Sequence, residues 1–147
     1  MRTFIRILLL YCLTLPLSAT GQSSQVPVLV LKEFTVRFPT AQDVQWNTDD
    51  NGYKAVFKAD KFNYEVKYNT NGSWKITQRE IPFSQVPATV RNALSGGEFS
   101  GWNIHSAFIL FLPGMITQYR VKISKNSNSK SLLFSREGNI LNDNFTL

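Results

Sequence analysis

The sequence predicts an α+β protein of two tandem repeats, each one helix followed by a four-stranded antiparallel sheet, with the helices on one sheet face. Three observations predict this fold. Short segments alternate strictly between apolar and polar residues, which is typical of half-buried antiparallel strands. Asn51-Gly52 and Asn71-Gly72 supply residues that tolerate the positive φ of hairpin turns. The same order of motifs then recurs in the second half of the chain.

The clearest strands lie within residues 51–76. In the first, Tyr53 and Phe57 share one phase and Lys54 and Lys58 the other. Because successive side chains of a strand point to opposite faces, this pattern gives one apolar and one polar face. The two following segments alternate in the same way, and the last of them is predicted to place Trp74 and Ile76 together on the apolar face, leaving Lys75 on the polar one. Most aromatic residues fall on the apolar phase, which indicates packing between helix and sheet.

Two amphipathic segments predict the helices. The first runs from Val26 to Arg37, with Pro27 in its first turn, where a missing N–H costs nothing, and Pro39 just beyond its end. The second opens at Val86-Pro87 and ends at Gly96-Gly97. The Val-Pro motif at the helix start thus recurs about 60 residues later in the chain, and two strand segments recur about 66 residues later. We therefore predict one domain, residues 22–147, made of repeats at about 26–79 and 84–142.

The first 21 residues have the pattern of a signal peptide. Arg2 and Arg6 precede an apolar run, residues 7–17, that is too short to span a bilayer, which needs about 20 residues. Small residues before Gln22 predict cleavage there, and hence a periplasmic or secreted protein. The alternative is a lipoprotein acylated on Cys12, although this cysteine lies inside the apolar run.

Charge and cysteine content narrow the function classes. The chain has 16 Lys and Arg against 10 Asp and Glu, a formal net charge of +6. Removal of residues 1–21 would leave about +4 and no cysteine, so the exported domain would hold neither a disulfide nor a cysteine metal site. The mild excess of cations fits an acidic protein partner or an anionic surface, and it is too dilute to indicate nucleic acid. No second apolar segment is long enough for a membrane anchor.

The order of these motifs resembles the PepSY-like, β-lactamase-inhibitor-like family of exported bacterial proteins. The Val-Pro helix start, the Phe38-Pro39 stop, the strand at 53–57, the turn at 71–74 and the second Val86-Pro87 helix carry the resemblance, which covers about residues 26–141. It implies two helix-plus-four-strand repeats. Our own functional prediction is an exported, non-enzymatic binding module. The two disulfides of the β-lactamase inhibitory protein have no counterpart here, and no inhibitory residues can be carried over.

The residues indicate no enzyme. A serine–histidine–aspartate triad or a zinc site would need His105, the only histidine, and ordinary metal sites need more ligands than one histidine without cysteines can supply. Asp49-Asp50-Asn51 lacks the later glutamate of a calcium loop and is interpreted as a hairpin turn. We predict no catalytic residue, no metal and no cofactor.

The polar phase of the strands suggests the binding site instead. We predict a basic sheet face, left open by the helices, that docks a protein partner through six cations. The alternative is a cell-envelope sensor or stabiliser that binds a small anionic ligand. The predicted partner-binding residues are Lys54, Lys58, Lys67, Lys75, Arg120 and Lys122.

Overall fold

The computed structural model describes residues 26–146, which form two helices and eight strands. The predicted signal peptide lies outside these residues. Within them, no helix is long and apolar enough to cross a membrane. Short 3₁₀ turns at Phe83–Gln85, Gly97–Phe99 and Pro113–Met115 join some of the elements. In chain order the main elements are α1 Val28–Arg37, β1 Gln42–Asp49, β2 Gly52–Ala59, β3 Phe62–Tyr68, β4 Trp74–Ile81, α2 Ala88–Ser95, β5 Asn103–Leu112, β6 Ile116–Lys125, β7 Asn128–Ser135 and β8 Ile140–Asn142.

All eight strands pair in sequence order in one antiparallel sheet. The prediction of two tandem repeats, each with a four-stranded sheet of its own, is therefore wrong. The two halves join where β4 pairs with β5, from Thr77 opposite Phe111 to Ile81 opposite Ala107. Two separate sheets would leave both of these strands as edges with unpaired N–H and C=O groups, whereas one continuous sheet satisfies them. Helix α2 separates β4 from β5 along the chain. The alternation of side chains within each strand therefore does not predict that these two strands pair.

Helix α1 covers the first half of one sheet face. Val30 and Phe34 are four residues apart, so they lie on the same side of the helix and are both buried. They pack with Ala55 and Phe57 of β2 and Val66 of β3. The helix begins at Val28, two residues after the predicted start and directly after Pro27.

Helix α2 covers the second half of the same face. Its buried residues Val90 and Leu94 are again four apart. They pack with Val121 and Ile123 of β6 and with Leu132 of β7. We call this side of the sheet the helix face and the opposite side the open face.

A β-bulge in the pairing of β3 with β4 changes the strand phase. Tyr68 lies opposite Trp74, but Lys67 lies opposite Ile76, so Lys75 is left without a partner in β3. Trp74 consequently packs in the cluster under α1, whereas Ile76 belongs to a separate cluster on the open face. The predicted placement of Trp74 and Ile76 on one face is wrong, because one extra residue reverses the phase of everything after it.

Candidate functional site

The open face has an apolar centre that neither helix covers. Leu110 of β5 is fully buried there, with Ile76 and Leu133 almost as well buried beside it. Partly buried Phe108 and Leu112 extend this cluster. None of its members belongs to α1 or α2, so the burial comes from side chains of the same face.

The segment after β8 also contributes to the open-face cluster. Phe145 packs against it, and the Phe145 N–H donates a hydrogen bond of 2.8 Å to the Ser131 carbonyl oxygen of β7. Lys130 Nζ lies 3.2 Å from Asp143 Oδ2, which ties the same segment to β7 a second time. The C-terminal part of the described chain therefore closes one end of the apolar centre.

Arg120 occupies the open face but is not an exposed contact. It is only 6% exposed, and its guanidinium carbon lies 4.3 Å from the ring centroid of Phe108, its cross-strand neighbour. Its Nε has no hydrogen-bond partner among the described residues. Burial lowers the pKa of Arg120, and the charge of Glu65 partly opposes that effect. Arg120 thus covers the apolar centre with its planar guanidinium group and exposes little surface to a partner, and its predicted role in partner binding stays a prediction.

Four of the six predicted cations form a rim on the open face. Lys54 and Lys67 lie directly opposite each other on β2 and β3. Lys67 Nζ is 3.9 Å from the Glu65 carboxylate, and both side chains are about one-fifth exposed. Lys58 and Lys122 are exposed on the same face.

The contacts of the two exposed rim lysines are weak ones. Lys58 Nζ lies 3.3 Å from Asp43 Oδ2, a pair in which both side chains are mostly in solvent and which contributes little to stability. Lys122 Nζ lies 5.8 Å from the Phe108 ring centroid.

Lys75 does not belong to this rim. It is exposed at the bulge, and Ile76 takes the open-face position that was predicted for Lys75. We call Lys54, Lys58, Lys67 and Lys122 the lysine rim.

The alternation of polar and apolar residues did not predict the apolar centre of the open face. A signal for it exists in residues 107–112, AFILFL, which are apolar without alternation. Such a run is typical of a strand buried on both faces. In the structure Ala107 and Ile109 pack under α2, while Phe108 and Leu110 belong to the open-face cluster.

The lone histidine lies beside a serine of the neighbouring strand. His105 is exposed at a bulge of β5, and its Nε2 lies 2.5 Å from Ser124 Oγ. No hydrogen bond found between residues 26 and 146 joins this pair to a carboxylate, and the same part of the chain contains no group of three or more metal-binding side chains. Asp50 and Asn51 form the two-residue turn between β1 and β2.

Several solved structures from Bacteroides species are similar in fold to this chain. A protein from Bacteroides eggerthii, described as one of its putative periplasmic proteins, has a TM-score of 0.75 at 24% identity, over 81% of this chain and 88% of that one. A DUF2874 family protein from Bacteroides uniformis gives the same four values. A BLIP-like protein from Bacteroides fragilis has a TM-score of 0.71 at 22% identity, over 81% and 85%. At these identities the likeness shows the fold alone.

Sequence comparison identifies the family. No curated protein matches the chain significantly. The model of the family described as "Putative beta-lactamase-inhibitor-like, PepSY-like" matches residues 51–142, which is more than half of the chain and includes the strands of the apolar centre and the lysine rim. The chain therefore belongs to the PepSY-like, β-lactamase-inhibitor-like family.

Proposed function

We propose that this protein is a non-enzymatic binding module that docks an acidic surface of a protein partner on its open face. One observation carries the proposal: a sheet face left uncovered by both helices combines an apolar centre with a lysine rim. The membership of the chain in a family described as β-lactamase-inhibitor-like supports a binding role.

The two parts of the open face would act differently in binding. The lysine rim and Arg120 together carry five positive charges, and the described carboxylates placed beside them on this face are Asp43, Glu65 and Glu80. An excess of one sign of charge raises the rate of encounter with a partner of the opposite sign and disfavours other partners. Phe108 and Leu112, partly buried at the centre, would supply the apolar contact that excludes water once the partner has docked.

The proposed site of action is the bacterial periplasm or the cell exterior. The signal-peptide pattern of residues 1–21 supports export. The description of the Bacteroides eggerthii protein as putatively periplasmic is consistent with this location.

Charge reversal on the rim tests the proposal. We expect Lys54→Glu/Lys67→Glu/Lys122→Glu to weaken partner binding by at least about tenfold at low salt, because like charges would then face each other across the interface. The measurement is recovery of the partner from envelope extract on immobilised protein at low and high salt, followed by titration with the purified partner.

A matched variant separates this effect from a change of net charge. Lys32→Glu/Arg91→Glu/Lys125→Glu carries the same charge change, at three exposed positions outside the rim. It should retain binding. Equal binding by both triple variants would rule out docking through the rim. Recovery of a small anionic molecule and no protein would support the ligand-sensor alternative instead.

A further inference from the structure

A cavity on the helix face lies between the end of α2 and the start of β5. Leu94 and Ser95 of α2 form one side of it, and residues 99–102, which follow the helix, contribute a second side. Ile104 of β5 and Ile123 of β6, which are opposite each other in the strand register, line it from the sheet. Its volume is ≈ 210 Å³. The cavity therefore enters the edge of the cluster packed under α2, on the side of the sheet opposite to the lysine rim.

The walls of this cavity are aromatic. Phe99 and Trp102 pack edge to face, with ring centroids 6.2 Å apart and planes at 74°. The Trp102 ring is oriented by its Nε1–H, which donates a hydrogen bond of 3.2 Å to the Glu98 carbonyl oxygen. Phe83 also lines the cavity. Because aromatic rings pack favourably at their edges and faces, these walls suit a flat apolar group of a ligand.

The entrance of the cavity carries positive charge. Arg91 lies one helical turn before Ser95, is exposed, and is the formally charged member among the described residues of the lining. No ion pair found within residues 26–146 involves Arg91. Lys125 adds a second cation at the turn after α2, where its Nζ donates a hydrogen bond of 3.3 Å to the Ser100 carbonyl oxygen. A cation without an ion-pair partner beside an apolar cavity favours an anionic ligand over a neutral one.

The volume of the cavity limits the size of the ligand. At about 30 Å³ per molecule in the liquid, 210 Å³ corresponds to about seven water molecules. At the packing density of a protein interior, the same space holds about ten non-hydrogen atoms. That is the size of one aromatic ring with a short acidic arm, and it is too small for a folded peptide or a lipid chain.

We propose that this cavity binds a small monocarboxylate with one aromatic ring, whose ring packs against Phe99 and Trp102 and whose carboxylate pairs with Arg91. The site lies on the helix face, so a bound ligand leaves the open face free. The proposal therefore does not rest on docking of a protein partner.

Titration of the protein with phenylacetate, followed by NMR, tests the proposal. We expect a saturable shift of the Trp102 indole N–H signal and unchanged indole signals of Trp46 and Trp74, which pack under α1. Phenylacetamide has the same shape without the charge and should bind at least about fivefold more weakly. Acetate, which lacks the ring, should not saturate in the same concentration range. Equal affinities for phenylacetate and phenylacetamide, or no shift at Trp102, would overturn the proposal.

Removal of the cation tests its pairing with the carboxylate. Arg91→Met keeps a long side chain that is compatible with a helix, and we expect it to weaken phenylacetate binding at least about fivefold with little change for phenylacetamide. Lys32→Met removes the same charge at an exposed position of α1 and should leave both affinities unchanged. Equal effects of the two variants on phenylacetate binding would contradict the role of Arg91.

A second pair of variants tests the position of the ligand. Ser95→Phe places a ring in the cavity wall and should abolish binding, whereas Asn92→Phe, at an exposed position of α2 outside the lining, should leave it intact. Full binding by Ser95→Phe would count against this cavity.

The two proposals of this article can fail separately. The lysine-rim triple variant should bind phenylacetate normally. Lys32→Glu/Arg91→Glu/Lys125→Glu should lose phenylacetate binding and retain partner docking. Loss of phenylacetate binding in the lysine-rim variant would place the ligand on the open face and overturn the cavity proposal.

Discussion

Replacing Phe57 by alanine is expected to lower the free energy of unfolding by about 3–5 kcal/mol. Phe57 is almost fully buried beneath α1. Its ring packs edge-on to Phe34 with centroids 5.0 Å apart, lies 4.7 Å from Phe38, and stacks on Tyr64 at 5.3 Å. The variant would leave a cavity surrounded by rings from the helix, the following turn and the neighbouring strand, which cannot all collapse into it.

The neighbouring residue provides the control. Val56 follows the same backbone but points to the open face and is 38% exposed. We expect Val56→Ala to lower the free energy of unfolding by about 1 kcal/mol or less. Urea unfolding of the two variants measures the difference. A cost for Val56→Ala equal to that of Phe57→Ala would mean that the open face is covered, and would count against docking there.

Replacing Gly52 by alanine is expected to lower the free energy of unfolding by about 2–6 kcal/mol, from backbone strain together with steric overlap. Gly52 has a φ of +133°, a conformation that side chains with a Cβ rarely adopt. A Cβ placed there would lie 2.0 Å from the carbonyl oxygen of Tyr68 and 3.0 Å from the carbonyl carbon of Asn69. These are backbone atoms, so relief requires β2 to move away from the end of β3.

A substitution at Gly97 separates the effect of backbone strain from that of steric overlap. It also has a positive φ, +59°, but a Cβ there would meet nothing within 4 Å. We expect Gly97→Ala to cost about 1–2 kcal/mol, the strain of a left-handed residue alone. Thermal and urea unfolding measure how much more unfolding free energy Gly52→Ala loses than Gly97→Ala. This difference then reports the close approach of Gly52 to Tyr68. Equal costs at the two positions would show that the contact does not matter.

The local elements of this protein were predictable because their signals are local. Proline at the start of each helix, glycine in the tight turns and the alternation of Tyr53 to Lys58 each constrain a few neighbouring residues. Both helices are observed close to their predicted positions. The rim lysines on β2 and β3 are on one face for the same reason, since they lie within uninterrupted alternation.

Features that depend on pairing between distant strands were decided by the tertiary structure. The bulge opposite Tyr68 moves Ile76 to the open face and leaves Lys75 out of the rim, although the sequence alternates without a break. Burial of Arg120 depends on Phe108, which β5 brings beside it.

The sequence by itself determined where the strands, turns and helices lie and which residues alternate along each strand. Only the tertiary structure decided that β4 and β5 join the halves into one sheet. The physical reason is that the side-chain period is set residue by residue along the chain, whereas register and strand order follow from satisfying backbone hydrogen bonds between segments far apart in sequence.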